Sequence, residues 1–169
     1  MSISALPDAA RVWVFGAASP LTDAQERALD VDLSGFVKSW AAHGSPLLAG
    51  HAIIDGRFVV VAVDESHQGA SGCSIDAMVG HLREMEDRLS VSLLDGTRIW
   101  YRTQAGDIVS CDRPQFRTRA EKDDVDEATP VFDITIQSLA ELRGGHFERP
   151  VRDSWHARLL SPLAAGGSD

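Results

Sequence analysis

The chain has 169 residues, with 16 basic and 25 acidic side chains and a formal net charge of −9 at pH 7. An acidic surface repels phosphate backbones, so general nucleic-acid binding is disfavoured. The apolar content of 44% suffices for a packed core. No apolar run reaches the length of a membrane span, and the N-terminus lacks the layout of a signal peptide. We therefore expect a soluble, cytoplasmic protein that binds neither membranes nor nucleic acids.

Two elements are predicted near the N-terminus, after a loose lead-in over residues 1–10. Apolar side chains on both faces of residues 11–17 predict a central strand. Thr22 and Gln25 have the spacing of a capping box, in which each side chain bonds a backbone N–H group at the start of a helix. Apolar residues at helical spacing follow, so a helix is predicted over residues 23–42.

A hairpin and a second helix come next. The pair Asp55-Gly56 lies between two apolar runs, which is a strong signal for a two-residue β-turn. The second strand of this hairpin, over residues 58–63, is almost wholly apolar and is therefore predicted to lie inside the sheet. Helical spacing resumes over residues 74–90, with Ser74 as the predicted N-cap.

A further strand over residues 97–102 completes the order strand, helix, strand, strand, helix, strand. This split βαβ order is typical of a ferredoxin-like α+β sandwich, in which two helices cover one face of an antiparallel sheet. We predict this domain over residues 11–111. A small α+β extension is predicted over residues 112–160, and a disordered tail over 161–169.

Cys73 lies in the small-residue stretch GASGCS, beside the second predicted helix. Thiol pKa values fall at helix N-termini, which favours the nucleophilic thiolate. One hypothesis is therefore an enzyme with Cys73 as nucleophile, a histidine as base, and the helix N-terminus stabilising an oxyanion. The candidate bases are His67, His81 and His156. The alternative is a tight loop that holds an unreactive thiol.

The same region offers two binding hypotheses. Gly69 and Gly72 allow close approach to the backbone N–H groups around Ser74, which could hold an anion. Asp64 and Glu65 end the preceding strand and, together with a histidine, could bind a metal ion. The sequence contains no CxxC, HxH, HxxH or HExxH pattern, so no metal or other cofactor is predicted.

Three tryptophans are candidate interaction residues. Trp13 and Trp100 lie in predicted strands and are expected on the sheet face that the helices leave open. Trp155 is expected to anchor the C-terminal segment, or to form a site with His156 and Arg158. Because an open sheet face needs a cover, the leading hypothesis is a non-enzymatic binding or regulatory protein. Its partner would be another protein or a second copy of the chain.

The stretches VWVFGA, WAAHGSPL, SGCSID and SWHARLL resemble a family of short bacterial proteins that automated naming often labels ABC transporter ATPases. The resemblance spans residues 11–160 and implies a bacterial protein, but it brings no established activity. A transporter ATPase needs a phosphate loop of the form GxxxxGK followed by Ser or Thr. The sequence contains neither that loop nor an LSGGQ-like signature. We therefore expect no ATPase activity.

Residues 100–133 are similar in rhythm to small GYF-like modules, which bind proline-rich peptides through aromatic side chains. The shared pattern is an aromatic pair, a glycine turn, a short helix, an acidic turn and the sequence TPVF. The segment departs from these modules because it lacks a Gly-Pro before the helix and a later tryptophan. The resemblance implies peptide binding by this part of the chain.

Overall fold

The computed structural model describes residues 2–160, which form antiparallel sheets and four α-helices. The strands are β1 (Arg11–Gly16), β2 (Ala41–Ala42), β3 (Ser45–Pro46), β4 (Leu48–Ile54), β5 (Phe58–Asp64), β6 (Ile99–Arg102), β7 (Ile108–Cys111), β8 (Pro130–Phe132) and β9 (Glu148–Pro150). The helices are α1 (Asp23–Ser39), α2 (Gly72–Leu89), α3 (Arg113–Glu121) and α4 (Leu139–Arg143). The predicted α+β class is confirmed.

Two compact units divide the described residues. The first unit contains residues 2–96 and 134–147, and the second contains residues 97–133 and 148–160. Residues 97–111 thus belong with the second unit, whereas the sequence-based boundary lay after residue 111. The predicted disordered tail, residues 161–169, lies outside the described residues.

The first unit is built around β5, the central strand of a three-stranded sheet with the order β1-β5-β4. Val59, Val61 and Val63 point to one face of this strand, because alternate side chains of a strand face opposite ways. Val60 and Ala62 point to the other face. All five side chains are fully buried, as the apolar sequence of this strand predicts.

Both long helices pack on the same side of this sheet. The side chains of α1 and α2 that share a core with Val59, Val61 and Val63 are Leu29, Leu33, Val37, Met78, Leu82 and Met85. The ferredoxin-like arrangement is nevertheless not confirmed. The strand expected to become the fourth member of this sheet, β6, pairs with β7 and β8 in the second unit.

The second unit has a four-stranded antiparallel sheet with the order β7-β6-β8-β9. Its core contains Ile99 and Tyr101 from β6 and Phe116 from α3, whose ring meets Tyr101 edge-on at 5.6 Å between centroids. The alternating apolar residues of 131–136 favour a strand over this whole stretch, but β8 ends at Phe132. It ends there because buried Asp133 is held by Arg149, 2.7 Å from its carboxylate.

The cap of the first helix and the turn of the hairpin are as predicted. The capping box of Thr22 and Gln25 is present. Asp55 and Gly56 both adopt positive φ, 53° and 56°, as a two-residue hairpin turn requires. The helix predicted to reach residue 42 ends earlier, at Ser39, because the chain turns extended and enters β2.

The N-terminal residues are fastened to the first unit, although we expected a loose lead-in. Ile3–Ala5 forms a 3₁₀ helix, and Leu6 and Ala10 are buried. The guanidinium of Arg143 donates to the carbonyls of Ile3 and Leu6, at 3.0 Å each. The N-terminal segment is thus held in place by a side chain more than 130 positions away, which no local sequence pattern indicates.

No helix within residues 2–160 combines the length and the apolar character needed to cross a membrane.

We expect Leu33→Ala to lower the free energy of unfolding by about 2–5 kcal/mol, because it opens a cavity in the core of the first unit. Leu33 is 0% exposed, whereas Val31, on the same helix, is 72% exposed. Val31→Ala is the matched control and should change stability by less than about 0.5 kcal/mol. Urea denaturation measures both, and equal losses would contradict the packing of α1 described above.

Candidate functional site

Cys73 occupies the first turn of α2, where its side chain is exposed. The N-cap of this helix is Ser71, so the prediction of Ser74 as the cap is wrong. Ser74 is instead the third helical residue and completes a capping box, since each serine hydroxyl accepts from the other residue's backbone N–H. The reciprocal pair outcompetes a cap at Ser74, which would leave these N–H groups unpaired.

The predicted bases do not gather around Cys73. His67 is exposed in the turn after β5, and no histidine among the described residues is hydrogen-bonded to the Cys73 thiol. His81 is eight residues further along α2, about 12 Å by the rise of a helix. Its Nε2 atom lies 2.7 Å from a carboxylate oxygen of Asp32, although the ring is not aligned for a hydrogen bond. Its ring also stacks on Phe36.

His156 lies in the second unit and is 1% exposed. The hydroxyl of Ser154 is 2.7 Å from its Nδ1 atom, and its ring stacks on Trp155 with 3.8 Å between centroids. Burial lowers the pKa of His156 to about 4, and the nearby carboxylate of Asp133 opposes part of this shift. His156 is therefore a neutral core residue at pH 7.

The proposed anion cradle is already filled by the protein's own groups. The Ser71 hydroxyl accepts from the N–H of Ser74, and a Glu65 carboxylate oxygen accepts from the N–H of Ala70 at 3.0 Å. A methyl group added at Gly69 would meet the same Glu65 oxygen at 3.7 Å. The carboxylate of Glu65 thus stands where a bound anion was expected.

Asp64 and Glu65, the carboxylates of the suggested metal site, accept hydrogen bonds from backbone N–H groups of the loop that follows them. Asp64 accepts from the N–H of Ser66 at 3.0 Å, and this bond lowers the pKa of Asp64. Glu65 approaches Arg11 at 3.7 Å. Within residues 2–160, no group of three or more His, Cys, Asp or Glu side chains is arranged to hold a metal ion.

The three tryptophans have different environments. Trp13 projects from β1 toward the helices rather than the opposite face, and its ring meets Trp40 edge-on at 6.0 Å. Trp100 is fully buried and presents no surface to a partner. Trp155 is half-buried and donates from Nε1 to Asp133 at 3.2 Å, so it anchors its segment. Trp13 alone combines exposure with a sheet edge.

The first unit has a groove of about 490 Å³ along the outer edge of β1. One wall is residues 11–15 of this strand, and the other is the segment 134–137 that leads to α4. Arg11 and Glu65 lie at one end. Sequence reasoning missed this groove, since its two walls are more than 115 positions apart in the chain.

Backbone groups of β1 face this groove without partners. Odd-numbered residues of the strand pair with β5, and even-numbered residues point outward. At the ends of the edge, the Val12 N–H donates to Gln137 at 3.0 Å and the Ala18 N–H donates to Ser92 at 2.9 Å. Between them, the N–H groups of Val14 and Gly16 and the carbonyls of Val12 and Val14 have no hydrogen-bond partner among the described residues.

The groove's side chains are apolar with a charged end. Trp13 and Phe15 are half-buried on the helix side, and Val12 and Val14 are buried on the other side. The guanidinium of Arg11 lies over the Trp13 ring, 4.7 Å from its centroid. An unpaired strand edge between apolar walls can accept one further strand.

The comparisons with known proteins identify no relative. No protein-family model matches the chain. No curated protein matches it. No solved structure matches it.

We expect one thiol per folded chain to react rapidly with an aromatic disulfide reagent. Cys73 is exposed, whereas Cys111 is 2% exposed and its burial raises its thiol pKa, which reduces the reactive thiolate. Cys73→Ser should abolish the rapid phase, and Cys111→Ser should leave it unchanged. A rapid phase of two thiols in the folded chain would contradict the burial of Cys111.

We expect the free energy of unfolding to fall by about 2 kcal/mol between pH 7 and pH 5 through His156 alone. Its folded pKa, about 4, lies below the ordinary value of 6.5. The unfolded chain therefore binds this proton first as the pH falls, and stability is lost through that window. Urea denaturation at each pH measures the effect.

The variant His156→Asn should lose this part of the pH dependence, because asparagine can accept from Ser154 without titrating. His67→Asn replaces an exposed histidine and is the control, with the pH dependence of the wild type expected. An unchanged slope in His156→Asn would show that the histidine is accessible to protons in the folded chain.

Proposed function

We propose that the chain is a non-enzymatic binding protein that takes an extended segment of a partner polypeptide as an added strand on the outer edge of β1. The observation that carries the proposal is the unpaired carbonyl of Val12 and the unpaired N–H and carbonyl of Val14, two residues that line an open groove. Strand addition uses the main chain for affinity and alternate side chains for specificity.

Hydrogen bonding favours an extended peptide over a compact ligand. The free groups on Val12, Val14 and Gly16 follow one another along the edge, alternating acceptor and donor. Another strand supplies the complementary series at the same spacing. Groups that face an open groove bond to water in the free chain, so each hydrogen bond to a partner strand adds a net stabilisation of about 0.5–1.5 kcal/mol.

A partner polypeptide fits the groove better than a second copy of the chain. In each copy, the segment 134–137 lies beside the outer edge of β1. Two β1 edges could therefore pair only if both of these segments were accommodated between the copies. A free extended segment has no such obstruction. The homodimer of the sequence-based hypothesis therefore becomes one outcome of the test.

The edge of β1 allows a sharp variant. Val14→Pro removes the outward N–H donor at the middle of the edge, while the bonds of Trp13 and Phe15 to β5 remain, and proline is tolerated at such edge positions. We expect peptides selected from a random display library on the wild-type chain to lose at least about tenfold in affinity for Val14→Pro, as the loss of one hydrogen bond near 1.4 kcal/mol would produce.

Val14→Ala is the matched control, because it shortens the same side chain and keeps the N–H donor. Peptides should bind it within a few-fold of wild type. Selection of no peptide, or equal binding by Val14→Pro and Val14→Ala, would overturn the proposal. Concentration-dependent dimerisation that Val14→Pro abolishes would instead assign the edge to a second copy and overturn the choice of occupant. Retention of helical circular dichroism in both variants checks the fold.

A further inference from the structure

We infer that the segment recognised by this edge is cationic, with lysine or arginine alternating with apolar residues. This inference rests on the proposed strand addition and specifies the partner's chemistry. The observation behind it is the charge of the first unit. Residues 2–96 and 134–147 contain 14 acidic and 7 basic side chains, whereas the described part of the second unit is nearly balanced.

The net negative charge of the first unit acts on a charged segment before the two molecules touch. Summed charges on one part of a protein raise the association rate of oppositely charged partners and lower that of like-charged ones. The unit that carries the groove therefore attracts a basic segment and repels an acidic one. The effect weakens with salt, because the Debye length shortens to about 8 Å at physiological ionic strength.

In the bound strand, alternate side chains face opposite sides of the sheet, so apolar and cationic residues of the partner would lie on different faces. The backbone groups of Val14 point outward, so the partner residue opposite it forms a hydrogen-bonded pair and places its side chain on the face of Val12 and Val14. That face is buried, so an apolar residue fits there. The partner residues on either side of this position face Trp13 and Phe15.

The helix side of the groove offers contacts to a cation. The Trp13 ring already carries the guanidinium of Arg11, 4.7 Å from its centroid, so a cation of the partner is attracted by Glu65 rather than by this ring. Glu65, at the same end, has a 36% exposed side chain and only a long contact of 3.7 Å to Arg11. One of its oxygens accepts from Ala70, and the other is available to a second cation. Apolar and cationic residues must therefore alternate in the partner.

The probes are peptides of about six residues, an ordinary strand length, in which valine alternates with lysine, glutamate or serine. We expect the lysine peptide to bind the wild-type chain at least about tenfold more tightly than the glutamate peptide at low salt, with the serine peptide between them. The ratio should shrink as salt is added. Isothermal titration or fluorescence anisotropy gives the dissociation constants.

Two variants locate the preference. Glu65→Gln keeps an amide oxygen for Ala70 and removes the charge, and it should reduce the lysine-to-glutamate ratio by about two- to fivefold, the scale of one surface ion pair. Glu84→Gln changes the net charge equally from an exposed position on α2 that does not line the groove, and it should reduce the ratio less.

The outcomes distinguish this inference from the proposal beneath it. Peptides that lose affinity with Val14→Pro but show no preference for lysine over glutamate would sink the cationic partner and leave strand addition standing. Binding that does not depend on Val14→Pro would remove strand addition itself. An equal effect of Glu65→Gln and Glu84→Gln would show that only the summed charge of the unit acts, and would overturn the contact between Glu65 and the partner's cation.

Discussion

The central constraint on the first unit is that every strand has two edges and β1 has a partner along only one of them. On its inner side, six residues pair in register with β5, whose valines are buried on both faces. On its outer side, the chain supplies bonds near each end and leaves the middle open. Natural sheets usually cover or disrupt such edges because an exposed edge invites further pairing. Here the segment 134–137 lies across the groove from this edge and covers part of it.

The sequence predicts the helices, strands and turns of this unit better than it predicts which strands pair with each other. The capping box at Thr22 and the turn at Asp55-Gly56 are local, since each depends on residues within four positions, and both are as predicted. The assignment of β6 to the same sheet depended only on the order of elements. In the structure β7, which begins six positions after β6 ends, pairs with one edge of β6, and β8 pairs with the other. Pairing between strands close in sequence costs less loop-closure entropy, and the order of elements does not encode that difference.

The groove could not be read from the sequence for a related reason. The residues VFDITI alternate as a strand should, yet the ladder stops after Phe132 because Asp133 is buried against Arg149 and Trp155. The following residues cross to the first unit, where the backbone near Ser138 forms a single bridge with Arg11. An ion pair between a buried carboxylate and an arginine 16 positions further along the chain thus lies where the strand ladder stops. The sequence predicted only that β1 is a strand, because it has apolar side chains on both faces. It did not predict that one edge of β1 lines a groove.

The loop around Cys73 and the edge of β1 are linked by one side chain, and that link explains why the loop's residues suggested chemistry that its geometry does not favour. Glu65 closes the loop by accepting from Ala70, and it extends toward Arg11 at the end of the groove. A loop whose N–H groups are bonded to its own carboxylate repels anionic ligands, because like charges close together repel one another. At the neighbouring edge the same carboxylate lies 3.7 Å from the guanidinium of Arg11. The glycines and serines that resemble an anion cradle therefore position an acidic residue, and the electrostatic role of the region is the reverse of the one its composition suggests.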